Sequence, residues 1–202
     1  MKHLLNISRR SAWTLGLGAF VFAAIPAAGL LAAEQAAAVS DLGPAMGTVA
    51  PTIGMPLDQA SKPRTAASIA GKNGTVLLFF RSADWCPYCQ RQLMDMNAGL
   101  AEIEKRGFRL AAISYDSPEI LQKFTEKREI KYPLLSDPKS EVIDRYGLRD
   151  PQYKDKPKFN GVPRPIIFIL DAKGVIKAKL FEETYKTRPP LEQILAKLDD
   201  VK

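Results

Sequence analysis

Thr75-Val76-Leu77-Leu78-Phe79-Phe80 runs directly into Arg81-Ser82-Ala83-Asp84-Trp85-Cys86-Pro87-Tyr88-Cys89. The first six residues follow Gly74 and are continuously apolar, the pattern of a strand buried on both faces. A helix is expected from about Cys86 to Lys105. Its apolar positions Leu93, Met96, Leu100 and Ile103 recur at helical spacing, and Gly107 stops it. The two cysteines therefore sit where a buried strand hands over to a helix. A thiol there faces unpaired backbone N–H groups and the positive end of the helix dipole, and both stabilise a thiolate. Cys86 is the expected nucleophile. Cys89 lies one turn deeper on the same face, shielded from solvent but within reach of Cys86. Pro87 suits the first helical position, where its missing N–H costs nothing.

Downstream, Phe108 to Ser114 reads as a second buried strand, and Ser117-Pro118-Glu119 opens a helix to about Arg128. Tyr132 to Leu135 reads as a short strand, and Ser140 to Tyr146 as a short helix ending at Gly147. A loop rich in Lys, Pro and Asp spans Leu148 to Pro163, and its Lys154–Lys158 part reads as mobile surface or as a border of the site. Ile166 to Leu170 and Val175 to Phe181 flank Asp171-Ala172-Lys173-Gly174, a hairpin signal. Pro189 to Val201 closes the chain as an amphipathic helix. Upstream, residues 39–71 carry Pro44, Pro51, Pro56 and Pro63 among glycines and read as an extended strap. Strands alternating with helices, then a hairpin and a last helix, predict an α/β sandwich with a mixed sheet over residues 72–202.

The chain has 202 residues, 46% hydrophobic and 25% charged, which excludes a disordered or collagen-like polymer and suits one domain with an extension. The histidine and cysteine counts narrow the chemistry further. His3 is the one histidine, and Cys86 and Cys89 are the two cysteines. Four-cysteine zinc and iron–sulfur sites fail on count, and no metal or cofactor is expected. Haem attachment needs histidine after the second cysteine, and Gln90 stands there. A structural disulfide over so short a loop would stabilise by only about 2 kcal/mol. Redox catalysis by the pair is the stronger reading.

Residues 1–38 open with Lys2, Arg9 and Arg10, then run without charge from Ser11 to Ala33 to an alanine-rich exit. That is the pattern of a secretory signal peptide, and Ser8-Arg9-Arg10 resembles a twin-arginine signal. The expectation is export to the periplasm with cleavage; a retained membrane anchor is the alternative. After cleavage no histidine remains, which removes Ser-His and Cys-His catalysis. The formal net charge of +7 is mixed with acids along the chain, as in Lys123 to Glu129, so no nucleic-acid partner is expected.

Phe79 to Cys89 resembles the active-site segment of the thioredoxin superfamily, and Cys-Pro-Tyr-Cys is similar to the glutaredoxin four-residue motif. Residues 72–200 resemble the branch that holds peroxiredoxins and exported thiol–disulfide oxidoreductases. Gly161-Val162-Pro163-Arg164-Pro165-Ile166-Ile167-Phe168-Ile169-Leu170-Asp171 is similar to that branch's segment leading into its hairpin. The resemblance implies a thioredoxin-like three-layer sandwich, with helices on both faces of the sheet. It also implies a cis-proline against the sulfurs, at Pro165 or less closely Pro163. Trp85, Pro87, Tyr88, Arg164 and Pro165 are the candidate substrate-binding residues. Ordinary packing is the alternative for Trp85, and a loop proline for Pro165.

The expected activity is thiol–disulfide exchange with protein disulfides through a Cys86 mixed disulfide that Cys89 resolves. A membrane-bound electron donor or acceptor is the candidate recycling partner. One alternative is a peroxiredoxin-like thiol peroxidase, antioxidant in role, with Cys86 peroxidatic and Cys89 resolving. Another is a redox-sensing binding module. The resemblance departs from peroxiredoxins at three positions: Ala83 where they carry threonine, Phe79 where they carry proline, and Pro165 where they carry arginine, with Arg164 adjacent. Disulfide exchange is therefore expected to outpace reaction with peroxide. Thioredoxins also carry a buried carboxylate where this chain has Phe80, with Asp84 or Glu102 as candidate substitutes. Arg81 and Arg91 are candidates to lower the Cys86 pKa, or else solvated side chains.

Overall fold

A computed structural model describes residues 42–201. The candidate export segment, residues 1–38, lies outside the described residues. Among the described residues no helix is long and apolar enough to cross a membrane.

Six strands form one mixed sheet: β1 (Leu57–Asp58), β2 (Gly74–Phe79), β3 (Phe108–Ser114), β4 (Leu134–Ser136), β5 (Ile166–Asp171) and β6 (Ile176–Leu180). Their order across the sheet is β1-β4-β3-β2-β5-β6. β2 lies at the centre, parallel to β3 and antiparallel to β5. All six of its residues are buried, as its unbroken apolar run requires. Its side chains alternate between two cores. Val76 and Leu78, with Phe80 just beyond, face one core, and Leu77 and Phe79 face the other.

The first core is roofed by α1 (Pro87–Ala98), α2 (Leu100–Lys105), α3 (Pro118–Arg128) and α5 (Leu191–Val201). The second is covered by α4 (Glu141–Arg145), a 3₁₀ turn at Ala67–Ile69 and the strap residues Leu42 and Ile53. The three-layer thioredoxin-like arrangement is present. Its second outer layer is mostly extended chain, with one five-residue helix. The strap also contributes β1, which pairs antiparallel with β4 at the sheet edge.

One expected element differs. The helix expected over 86–105 is two helices, broken at Gly99. A Cβ at Gly99 would stand 2.4 Å from the Leu191 side chain at the start of α5. Close packing of α5 selects glycine here, and glycine's low helix propensity lets the turn open.

Candidate active site

Cys86 is the N-cap of α1, with extended backbone (φ −100°, ψ 100°), and its Sγ accepts the Cys89 N–H at 3.4 Å. Pro87 occupies the first helical turn. Both cysteines are free thiols, and neither reaches solvent: Cys86 is 1% exposed and Cys89 0%. The sequence led us to expect burial of Cys89 alone. Cys86 is buried as well because aromatic and cationic side chains from distant segments gather beside it.

Arg81 is the centre of that gathering. It is 3% exposed, and its guanidinium lies 4.0 Å from the Tyr185 ring centroid, 4.9 Å from Trp85 and 5.2 Å from Tyr153. It also donates to the Tyr153 hydroxyl. Phe159 packs edge-on against Trp85 at 5.1 Å and tilted against Tyr153 at 5.7 Å. The Trp85 Nε1–H donates to the Tyr115 hydroxyl at 2.9 Å, which donates in turn to the Lys158 carbonyl at 3.4 Å. Trp85 is thus anchored inside a cluster rather than free at a rim. Tyr88 is 40% exposed and meets Tyr185 edge-on at 6.1 Å.

The sulfurs are held unequally. Cys89 Sγ accepts from the Arg81 backbone N–H and from Arg188 Nη2, each at 3.4 Å. Burial alone would raise the Cys89 thiol. The hydrogen bond from Cys86, the Arg188 charge and the Ser82 N–H outweigh burial and bring it down to about 6. Cys86 is pushed up, first by donating its proton to Cys89, then by burial and by the like charge beside it. The Arg81 charge acts in the opposite direction on Cys86. The guanidinium that reaches the pair meets Cys89, while Cys86 keeps the backbone N–H expected at a helix N-terminus.

Arg164 and Pro165 line a cavity of about 240 Å³ with Asp150, Gln152, Phe181 and Tyr185. The cation that touches the cysteine pair is Arg188, not Arg164. Arg91 is exposed and paired with Asp95, as a solvated side chain would be. Neither carboxylate considered as a substitute for Phe80 is buried: Asp84 is exposed, and Glu102 pairs with Arg106 on the surface.

The buried carboxylate that reaches the turn before Cys86 is Asp116, just beyond the carboxyl end of β3. It accepts from the Ser82 hydroxyl at 2.8 Å, the Ala83 N–H at 2.7 Å and the Ser114 hydroxyl at 2.9 Å. Burial raises its pKa, against the pull of those donors. Asp116 thereby fixes the turn that presents Cys86. Asp116→Ala would strand three buried donors, at about 1–3 kcal/mol for each left unsatisfied. Calorimetry should show a melting midpoint lower by at least about 6 °C; an unchanged midpoint would mean the turn holds without it. The available signal was positional, since polar residues at the carboxyl ends of neighbouring parallel strands often build sites. Arg188, Tyr153 and Tyr185 carried no local signal at all.

Fold and site together define a thioredoxin-like thiol oxidoreductase with a vicinal dithiol at a helix N-terminus. Residues 46–179 match the AhpC/TSA family, and the chain belongs to it. Peroxiredoxin Bcp of Escherichia coli K12 is 30% identical over 131 residues, 65% of this chain and 81% of that protein. A putative peroxiredoxin of Coxiella burnetii is 29% identical over 133 residues, 66% of this chain and 85% of its own. Among solved structures, peroxidoxin BcpB from Mycobacterium tuberculosis superposes with a TM-score of 0.65 at 22% identity, covering 78% of this chain and 97% of that one. A peroxiredoxin-like protein from Aquifex aeolicus gives 0.65 at 19% identity, covering 80% and 91%.

Proposed function

We propose that this chain is a thiol peroxidase of the peroxiredoxin type, with Cys86 peroxidatic and Cys89 resolving. The observation that carries the reading is the burial of both sulfurs beside two guanidinium groups that no carboxylate pairs with among the described residues. A folded protein disulfide cannot be brought in line with a sulfur that is 1% exposed unless the cluster opens, whereas a hydroperoxide is small. Arg81 and Arg188 also offer the charge that develops on a departing oxygen a stabilising partner, in place of the hydroxyl and guanidinium missing at Ala83 and Pro165. Their Nε atoms are buried without partners. The AhpC/TSA membership and the relatives' names support the same reading.

The steps balance as follows. Cys86 sulfur attacks the terminal peroxide oxygen and the O–O bond breaks. The Cys86 proton passes to Cys89, its hydrogen-bond partner, and on to the departing alkoxide. The products are Cys86 sulfenic acid, an alcohol and the Cys89 thiolate. Cys89 then attacks the Cys86 sulfur, hydroxide leaves and becomes water with a solvent proton, and an external thiol donor reopens the disulfide. The reading includes export to the periplasm, suggested by residues 1–38, with a protein dithiol or a membrane-bound donor as reductant.

The second reading is exchange with protein disulfides, favoured by the Cys-Pro-Tyr-Cys dithiol and by Ala83 and Pro165. Stopped-flow rates of the reduced protein with hydrogen peroxide, cumene hydroperoxide and insulin disulfides separate the two. Faster oxidation by either peroxide is expected. A disulfide rate above both peroxide rates would move the chain to the second reading.

A further inference from the structure

The segment between β6 and α5 carries Arg188 to the cysteine pair from 99 residues away, and nothing in the helix-terminus chemistry of Cys86 calls for it. Arg188 is held in place from behind. Its Nη1 donates to the Tyr185 carbonyl and, at 2.7 Å, to the Thr187 carbonyl, while Pro189 and Pro190 stiffen the chain that follows. Nη2 is left to face Cys89 Sγ at 3.4 Å. Cys89 Sγ thus receives a backbone N–H from Arg81 and the Arg188 guanidinium, where Cys86 receives the single N–H of Cys89. Among the described residues no carboxylate pairs with Arg188, so the thiolate is the counter-charge on hand. A guanidinium half-buried against sulfur is costly to leave unpaired and is stabilised by that charge.

We propose that Arg188 is a positioning residue that keeps the resolving Cys89 ionised before attack, so that disulfide closure outruns further oxidation of Cys86. The part that concerns over-oxidation rests on the peroxidase reading. After the first turnover Cys86 sulfenic acid has two fates. Cys89 thiolate attacks it, forming the S–S bond and releasing hydroxide, which a solvent proton converts to water. Alternatively a second hydroperoxide transfers an oxygen to it, giving Cys86 sulfinic acid and an alcohol. A thiolate already formed and aimed at Cys86 removes the wait for deprotonation from the first path alone.

Two measurements test this on the reduced protein, with Arg188→Met and the charge-conserving Arg188→Lys. Thiolate absorbance against pH should show the first ionisation of the wild-type pair with a midpoint about 6. Arg188→Met should move it up by about one to three pH units, and Arg188→Lys should restore most of the shift. A structural role alone would not be rescued by lysine. Arg188→Met titrating with the wild type would overturn the proposal, as would Arg188→Lys titrating with Arg188→Met. This measurement uses no peroxide, so it stands even if the chain proves inert to hydroperoxides, a result that would overturn the peroxidase reading instead. The second measurement counts Cys86 sulfinic acid by intact mass during a hydrogen peroxide titration at neutral pH. Several-fold more per peroxide consumed is expected in Arg188→Met than in the wild type; equal amounts would overturn the proposal.

Discussion

Cys86→Ser is expected to lose peroxide and disulfide turnover by at least about a thousandfold, because a serine hydroxyl has neither the acidity nor the polarisable lone pairs of a thiol. The variant should fold normally, since the N-cap position accepts serine as readily as any residue. The informative comparison is with Cys89→Ser. That variant keeps Cys86 and should still react once, stopping at a sulfenic acid seen as one added oxygen by mass spectrometry. The structure makes this comparison necessary, because a guanidinium and a backbone N–H donate to Cys89, whereas Cys86 accepts a single backbone N–H. If Cys86→Ser reacted once with peroxide and Cys89→Ser did not, the roles of the two sulfurs would be reversed. Geometry argues against reversal: Cys89 lies one turn inside α1, boxed in by Arg81, Ser82 and Arg188.

Gly74→Ala is expected to be the most damaging small substitution in the fold. Gly74 opens the central strand β2 with φ +139°, a conformation that residues with a side chain rarely adopt. It pairs with Phe108 on one side and Asp171 on the other. A Cβ there would stand 1.9 Å from the Leu170 carbonyl oxygen and 2.8 Å from the Asp171 carbonyl carbon. Both are backbone atoms of β5, so relief requires parting the middle of the sheet. A loss of more than about 4 kcal/mol follows, a large part of the stability of an ordinary domain. That corresponds to a melting midpoint lower by roughly 8–16 °C. Gly147→Ala separates strain from clash. Gly147 also has positive φ, +64°, but nothing lies within 4 Å of its Cβ position. It should cost only about 1–2 kcal/mol. Similar losses in the two variants would mean that the backbone angle, and not the β5 contact, sets the requirement for glycine at 74.

β2, β3, the β5–β6 hairpin and α3 were legible in the sequence to within a residue or two. Each is written in a run of neighbouring side chains: continuous apolar residues in 75–80, a serine cap and a proline at 117–118, a turn at 171–174. The Cys86–Cys89 pair and its seat at a helix N-terminus were legible for the same reason, since spacing of three on a helix is a local property. The break at Gly99 was not, because its cause is the Leu191 side chain, brought there by the docking of α5. The surroundings of the sulfurs escaped the sequence altogether. Arg188 meets Cys89 across 99 residues, Tyr153 meets Arg81 across 72, and Asp116 holds Ala83 across 33. Arginine in a loop and tyrosine in a polar turn look like ordinary surface until folding brings three connections to the carboxyl end of the central strands. Local periodicity decides which segments become strands and helices and where the thiols stand along them. Which sulfur holds the charge, and how far it is hidden from water, depends on side chains that share no periodicity with it and meet it only once the sheet has formed.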